Sequence, residues 1–469
     1  MERVRSGPSG RRMAGSVVLA SVALVAAVVV TPVTGRPDDR PNVIVVLTDD
    51  QRTGTFAQMP WLGAQLARAG SGWTEFPNAF ANTPLCCPAR ASLLTGLFAR
   101  HTGVFDNEDG HEFDASSTIA TWLHDAGYRT GLVGKYLNRY PFGRLPFIPP
   151  GWDRFVAKVN QVGATVYRDF HAVDQGSPVF VRPYATDWLA ERALDFVRTA
   201  PPTRPFFLVF APSAPHDPWI PAPRHRGVFD GLAVEEPPTV VGALGGAPAW
   251  VRARPLPSAA RRATWLEDQR RAAETLLAVD ETIHGIVTSL GDRLDDTVIF
   301  VLSDNGYSFG EHRWEGKMCP YDACVRIPLA VYAPRIEEGV EVTAEDAFVS
   351  IVDLAPTILE LAGAPPVAGR DGRSFAATLA GEDAEGSRAR GDAVFLEWVG
   401  DHRIPAWRAV RTPDFTLIRY ADGFEELYDP GGRLGPADRW ESINHAQDPR
   451  AAGVLFRLRA ILGRVLGPG

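Results

Sequence analysis

Two apolar runs, Asn42–Leu47 (NVIVVL) and Thr297–Leu302 (TVIFVL), constrain the fold more than any other feature of the chain. Both are uninterrupted and rich in β-branched residues, as expected of strands buried on both faces of a parallel sheet. Shorter runs at Tyr128–Val133 and Phe206–Phe210 share the design. Between them lie helical patterns: Thr118–Ala126, ended by Gly127; Asp187–Thr199, with Thr186 or Asp187 as its cap; and a long helix from Ser258 to Gly291. In the last, Leu276, Val279, Ile283, Ile286 and Leu290 keep a helical spacing that reads as a core stripe. The alternation predicts an α/β fold, a central mostly parallel sheet flanked by helices. In such sheets ligands gather outside the strands' carboxyl ends.

Each of the four strands runs into residues that carry chemistry. The first ends in Thr48-Asp49-Asp50-Gln51 and the last in Ser303-Asp304-Asn305-Gly306. Adjacent carboxylates repel unless a cation lies between them. A solvated turn is the ordinary reading of one such pair; the second pair favours a metal. Asp49, Asp50, Asp304 and Asn305 form an oxygen-only donor set that suits Ca²⁺ or Mg²⁺, with no His/Cys cluster to argue for zinc. The strand at Tyr128–Val133 leads to Gly134-Lys135-Tyr136-Leu137-Asn138. Lys135, Lys158 and Lys317 are the only lysines among 48 basic residues, so lysine marks places where a compact ammonium is needed. Phe206–Phe210 leads to His216, held among Pro212, Pro215 and Pro218. A fifth cluster opens a helix: in Pro84-Leu85-Cys86-Cys87-Pro88-Ala89-Arg90, Cys86 falls at the amino end, where unpaired N–H groups favour an anion. Arg90, four residues on, shares its face.

Cys86-x-Pro88-x-Arg90 followed by Thr95-Gly96 resembles the signature of the type I sulfatases, in the alkaline-phosphatase-like superfamily. The resemblance implies that fold, an α/β sandwich with a small C-terminal α+β domain. It implies that Cys86 is oxidised to formylglycine by dedicated formylglycine-generating machinery, and that the hydrated aldehyde is the nucleophile and a further metal ligand. It favours Ca²⁺ over Mg²⁺ at Asp49, Asp50, Asp304 and Asn305. It places Arg90, Lys135 and Lys317 on the sulfuryl oxygens and His216 on the leaving oxygen. Gly310-Glu311-His312-Arg313-Trp314-Glu315-Gly316-Lys317 resembles another family segment; His312 is read as orienting substrate or, equally, as structural. The chain departs from the family at Leu137, where many members carry a His that helps break down the covalent sulfate intermediate. Asn138 can hydrogen-bond there but takes no proton at neutral pH. Gly134–Asn138 and the paired Cys86-Cys87 resemble the N-acetylglucosamine-6-sulfatase branch. The expected substrate is a sulfated small molecule or glycan. The rival functions are a phosphonate or phosphate monoester hydrolase on the same scaffold, and a non-catalytic sulfoglycan-binding protein should Cys86 stay a thiol.

The formal charge of −8 becomes −11 once residues 1–35, which carry +3, are set aside, and argues against general nucleic-acid affinity. Residues 1–35 are basic and then apolar from Met13 to Val30, the pattern of an export signal; an N-terminal anchor is the alternative. The protein is therefore expected to be secreted, periplasmic or at the cell surface. Cys319 and Cys324 could pair in that setting, which would leave Cys87 a buried thiol. Arg224–Pro257, rich in Pro, Gly and Ala, reads as a lid. The catalytic domain is expected over 36–380 and a C-terminal α+β subdomain over 381–469, joined by a polar linker at 381–391. Strand-like segments lie at 393–398, 407–411, 415–420 and 426–430, and a closing helix at 451–466.

Overall fold

The computed structural model describes residues 39–159, 163–242, 246–334, 344, 347–381 and 393–466. The expected export segment and, apart from Gly381, the expected linker lie outside the described residues. Nine strands form one sheet, in the spatial order Trp73–Glu75, Leu329–Tyr332, Thr297–Ser303, Asn42–Thr48, Phe206–Ala211, Arg129–Gly134, Arg154–Val159, Phe170–Asp174 and Ser177–Val181. The five central strands, Thr297–Ser303 through Arg154–Val159, run parallel. Both margins are antiparallel, so the sheet is mixed. The four strands singled out in the sequence are consecutive neighbours at its centre. Their ends are level, because Thr48 pairs with Ser303 and Gly134 with Ala211.

Alternation along the central strands divides the core. Val43, Val45 and Leu47 face one layer with the helices Cys86–Thr95, Ile119–Asp125 and Leu354–Leu361. Ile44 and Val46 face the other, with Pro60–Leu66, Ala185–Arg198 and Ala259–Leu290. Every residue of Asn42–Thr48 and Thr297–Ser303 is buried, which only unbroken apolar runs permit. Each fully buried Val or Ile contributes about 1.5–3 kcal/mol. The long helix is capped by the Ser258 side chain, which accepts from the Arg261 N–H. The helix expected at Asp187–Thr199 instead spans Ala185–Arg198; Tyr184 precedes it, and neither Thr186 nor Asp187 caps it.

The marginal strands left little trace in the sequence. Trp73–Glu75 and Leu329–Tyr332 are too short to show a period. Phe170–Asp174 and Ser177–Val181 form a hairpin whose turn, Gln175-Gly176, has positive φ at both positions (49° and 79°), the backbone that a tight two-residue loop requires.

Beyond residue 393, Val394–Trp398, Trp407–Arg411, Thr416–Tyr420 and Glu425–Tyr428 form a four-stranded antiparallel sheet. One face packs on the Ala452–Leu466 helix through Phe395, Val410, Leu417 and Leu427. The other packs through Leu396, Trp398 and Ile418 on Trp314, Tyr321 and Val325. This small sheet thus backs the segment that carries Lys317.

Candidate active site

The acidic residues leave two adjacent strands at the same level and clamp each other. Asp50 adopts a left-handed backbone (φ 70°), which Asp tolerates better than most residues, and its N–H donates to Asp304 Oδ1 at 3.2 Å. Asn305 Nδ2 donates to Asp50 Oδ1 at 2.7 Å. The Asp49 N–H donates to the Ala214 carbonyl at 3.2 Å, which fixes the His216 loop against the same corner.

Cys86 is the first residue of a helix in which every side chain is buried, closed by Gly96 in the left-handed region (φ 70°). Its Sγ lies 3.3 Å from Asp49 Oδ1 and 4.0 Å from Asp50 Oδ1, and the Lys317 Nζ donates to it at 2.7 Å. Burial, and then the Asp49 charge, push the Cys86 thiol pKa far up, so near neutral pH the group is a thiol. Cys87, also a free thiol, is pushed by burial to about 12. One turn on, Arg90 is almost fully enclosed. Its Nε donates to Asp304 Oδ2 at 2.8 Å, its Nη1 to the Lys135 carbonyl at 2.8 Å, and its Nη2 stands 3.8 Å from Asp49 Oδ2.

Lys135 follows a glycine with φ 131°, where a Cβ would come within 1.9 Å of the Ala211 carbonyl oxygen. Only glycine lets these two strands close so tightly, and the next N–H, that of Lys135, donates to that same oxygen at 2.8 Å. The Lys135 Nζ is 2.6 Å from Asp49 Oδ2, and the Lys317 Nζ 2.6 Å from Asp50 Oδ1. Burial would lower both ammonium pKa values; Asp49 for Lys135, and Asp50 for Lys317, more than reverse it. Burial would likewise raise the Asp49 carboxyl, but Lys135, His216, Arg90 and Lys317 hold it well below the usual carboxylate range. Asp304 goes the other way, raised by burial and by Asp49. The His216 side chain is 25% exposed; its Nε2 is 3.7 Å from Asp50 Oδ2, and its Nδ1 is 3.0 Å from Asp217 Oδ1.

A hard dication fits this cluster. Single ligand atoms of Asp49, Asp50, Cys86 and Asp304 lie within 4.8 Å of one another, and Asp50 Oδ2 and Asn305 Oδ1 are buried oxygens without a hydrogen-bond partner. Such orphaned acceptors are costly unless a donor or a cation meets them. Asp50 also lines a cleft of 350 Å³ bounded by Arg52, Trp219, Phe309, Trp440 and the lid residues Leu232–Glu235.

Two sequence candidates stand apart from the cluster. His312 stacks on Tyr321 (ring centroids 3.6 Å apart) beside a 160 Å³ cavity that shares Arg52, Thr53 and Trp440 with the Asp50 cleft, and burial lowers its pKa to about 4. Asn138 lies next to Cys87, not Cys86. Leu137 is packed in the apolar core. Lys158 was named in the sequence only as a scarce residue, and it is buried just behind the His216 loop. It donates to Ser213 Oγ at 3.0 Å and to the Val166 carbonyl, 4.7 Å from the Phe170 ring centroid. Beside it, Tyr167 donates to the His216 carbonyl at 2.5 Å. Lysine scarcity was the one available signal for Lys158; nothing in the sequence marked Tyr167. Cys319 and Cys324 form a disulfide.

The sheet, its helical layers and the acidic corner define an α/β protein of the alkaline-phosphatase-like class, with groups that could bind a metal. A family model described as Sulfatase matches residues 41–364, and one described as N-sulphoglucosamine sulphohydrolase, C-terminal, matches 310–462. The chain belongs to the sulfatase family. It is 33% identical over 361 residues to an extracellular sulfatase SULF-1 homolog of Drosophila melanogaster, covering 72% of this chain but 31% of that relative. It is 27% identical over 489 residues to an N-acetylglucosamine-6-O-sulfatase of Bacteroides thetaiotaomicron, covering 89% and 83%. A solved structure in complex with D-glucosamine-2-N,6-O-disulfate as its substrate superposes with a TM-score of 0.76 at 26% identity, covering 90% of this chain and 97% of the other. No helix among the described residues is long and apolar enough to cross a membrane.

Proposed function

We propose that this sulfatase cleaves a sulfate monoester, with 6-O-sulfated glucosamine as the substrate class. The observation that carries the reading is the packing of three carboxylates against three cationic side chains around Cys86 Sγ. Asp49, Asp50, Asp304 and Asn305 would hold a dication, Ca²⁺ on the family likeness and Mg²⁺ as its competitor, which would supply Lewis acidity. Cys86, once converted to formylglycine, would supply the nucleophilic hydroxyl as a hydrated aldehyde. Lys135, beside Asp49, and Lys317, beside Asp50 and Cys86, bind the anionic sulfuryl oxygens. Arg90 aligns Asp304 and the Lys135 backbone, and adds positive charge behind Cys86. His216, its Nδ1 turned toward Asp217, presents Nε2 to the cluster and delivers a proton to the departing sugar oxygen. Leu137 supplies no base, so the proton that a hydroxyl at position 86 would give up must pass to another of these groups.

The amino-sugar assignment is supported by the Bacteroides relative's name, by the substrate in the similar structure, and by the Gly134–Asn138 string. The lid cleft is where the sugar ring would lie. Export and the action of formylglycine-generating machinery belong to the same proposal. The Cys319–Cys324 disulfide supports export, because such bonds persist in oxidising compartments. The test is hydrolysis of N-acetylglucosamine-6-sulfate, an aryl sulfate and an aryl phosphonate by enzyme from a cysteine-converting host. Cys86→Ala should lower sulfate turnover on the order of 10³-fold or more while the protein stays folded. Retained turnover, or a phosphonate rate above the sulfate rate, would overturn the proposal.

A further inference from the structure

Far along the chain from the catalytic loops, two clefts flank the Ala452–Leu466 helix. One, of 440 Å³, is lined by Arg100, Arg408, Arg419 and Arg459; the other, of 570 Å³, by Arg100, Arg370, Arg373 and Arg464. Arg100 belongs to both, so the two join into one track around the end of the helix. Neither shares a lining residue with the cleft at Asp50.

Part of this charge is used internally. Arg100 pairs with Glu397 at 3.5 Å and donates to the Val465 carbonyl at 3.2 Å, the usual arrangement of a cation at a helix C-terminus. Glu425 takes Arg459 and, at 4.0 Å, Arg419. Asp371 takes His101 at 2.7 Å. Among the described residues, and with Arg373 set aside, that leaves six guanidiniums facing three carboxylates, in a chain whose net charge is −8. Arg370 and Arg464 make no ion pair within 4 Å among the described residues; Arg408 lies opposite Glu397 on the neighbouring strand, where its charge acts on that carboxyl, and Arg408 and Arg464 are exposed. Guanidinium forks match sulfate and carboxylate oxygens in pairs. A small anion would need one such cleft; a track across two fits a linear polyanion.

We propose that this track binds a sulfated polysaccharide chain at a site separate from the catalytic centre, holding the polymer while a sulfated sugar of it is presented to the Asp50 cleft. The charge geometry gives the polyanion; the choice of glycan over nucleic acid rests on the sulfatase reading above. Binding can be read without turnover, which keeps the two proposals separable. The experiment measures heparin affinity at several salt concentrations for the full chain carrying Cys86→Ala, with and without Arg408→Gln and Arg464→Gln. Losing both arginines should weaken heparin binding about tenfold near physiological salt, and should flatten the slope of log K against log salt by roughly one to two. In the Cys86-containing enzyme the same pair should leave aryl sulfate hydrolysis within about twofold, which also verifies folding. Unchanged heparin affinity, or no heparin binding by the parent, would overturn the proposal. Equal binding of duplex DNA, lost in the same variants, would overturn the assignment to glycan.

Discussion

Arg90 offers the sharpest test of how the acidic corner is held together. Arg90→Met keeps an unbranched stem of similar length in a site that is 1% exposed, and removes only the charge and the donors. The lost bond from Nε to Asp304 is charge-assisted and contributes about 1.5–3 kcal/mol; that to the Lys135 carbonyl contributes about 1 kcal/mol. Asp304 is then a buried carboxylate without its partner, and breaking such a pair costs about 3–5 kcal/mol in total. The deficit should depend on pH. Asp304 is already raised above its ordinary value by burial and by Asp49, and without Arg90 it rises further. A carboxyl with a raised folded-state pKa stabilises the fold below its unfolded value, and that stability is lost as pH rises through the folded value. The variant should therefore lose about 3–5 kcal/mol near pH 7 and less near pH 5. Saturating Ca²⁺ should narrow the gap, since the cation meets the Asp304 charge that Arg90 no longer compensates and so stabilises the variant more than the parent. Urea unfolding in chelator and in Ca²⁺, at both pH values, measures this. A loss under about 1 kcal/mol in chelator at neutral pH would refute the charge-compensation argument.

Three further outcomes follow from particular residues. Burial holds Lys158 well below the ordinary lysine range, and among the described residues no carboxylate contacts its Nζ. The folded state therefore resists its protonation, and Lys158→Met should gain stability relative to the parent at low pH and lose that advantage toward pH 10; a pH-independent difference in urea midpoint would contradict this. Glu426 is buried beneath the hydroxyls of Tyr420 (2.8 Å) and Tyr428 (2.5 Å), and burial raises it to about 7. The parent should lose roughly 3 kcal/mol relative to Glu426→Gln as pH rises from about 4.5 to 8, and parallel stability profiles would count against it. Lys317→Ala should cut kcat/KM for N-acetylglucosamine-6-sulfate about 10²–10³-fold, with the fold intact by thermal melting; a loss below tenfold would remove Lys317 from the sulfuryl site.

The centre of the fold was legible because unbroken apolar runs have few alternatives to a strand buried on both sides. Asn42–Thr48 and Thr297–Ser303 lie side by side with their acidic ends level, as their shared design suggests. The margins were not legible: three- and four-residue strands carry no period, and their pairing depends on what the central sheet leaves exposed. In the site, residues announced by type and spacing (Asp49, Asp50, Cys86, Arg90, Lys135, His216, Asp304, Asn305 and Lys317) come together. His312 shows the limit of a motif. Its neighbour Lys317 reaches Cys86, but a left-handed backbone (φ 52°) accompanies the His312 ring's stacking on Tyr321, a tertiary contact that no local pattern reveals. Lys158 and Tyr167 were hidden for the same reason, since their partners Ser213 and His216 lie about fifty positions away.

The proposed chemistry turns on Cys86, whose thiol sits among three carboxylates and three cations. Mass spectrometry of the peptide spanning Cys86, taken from enzyme that is hydrolysing sulfate esters, reads its chemical state. An aldehyde is expected in place of the thiol in the active fraction. A peptide carrying only unmodified cysteine in protein that still turns over would contradict that chemistry.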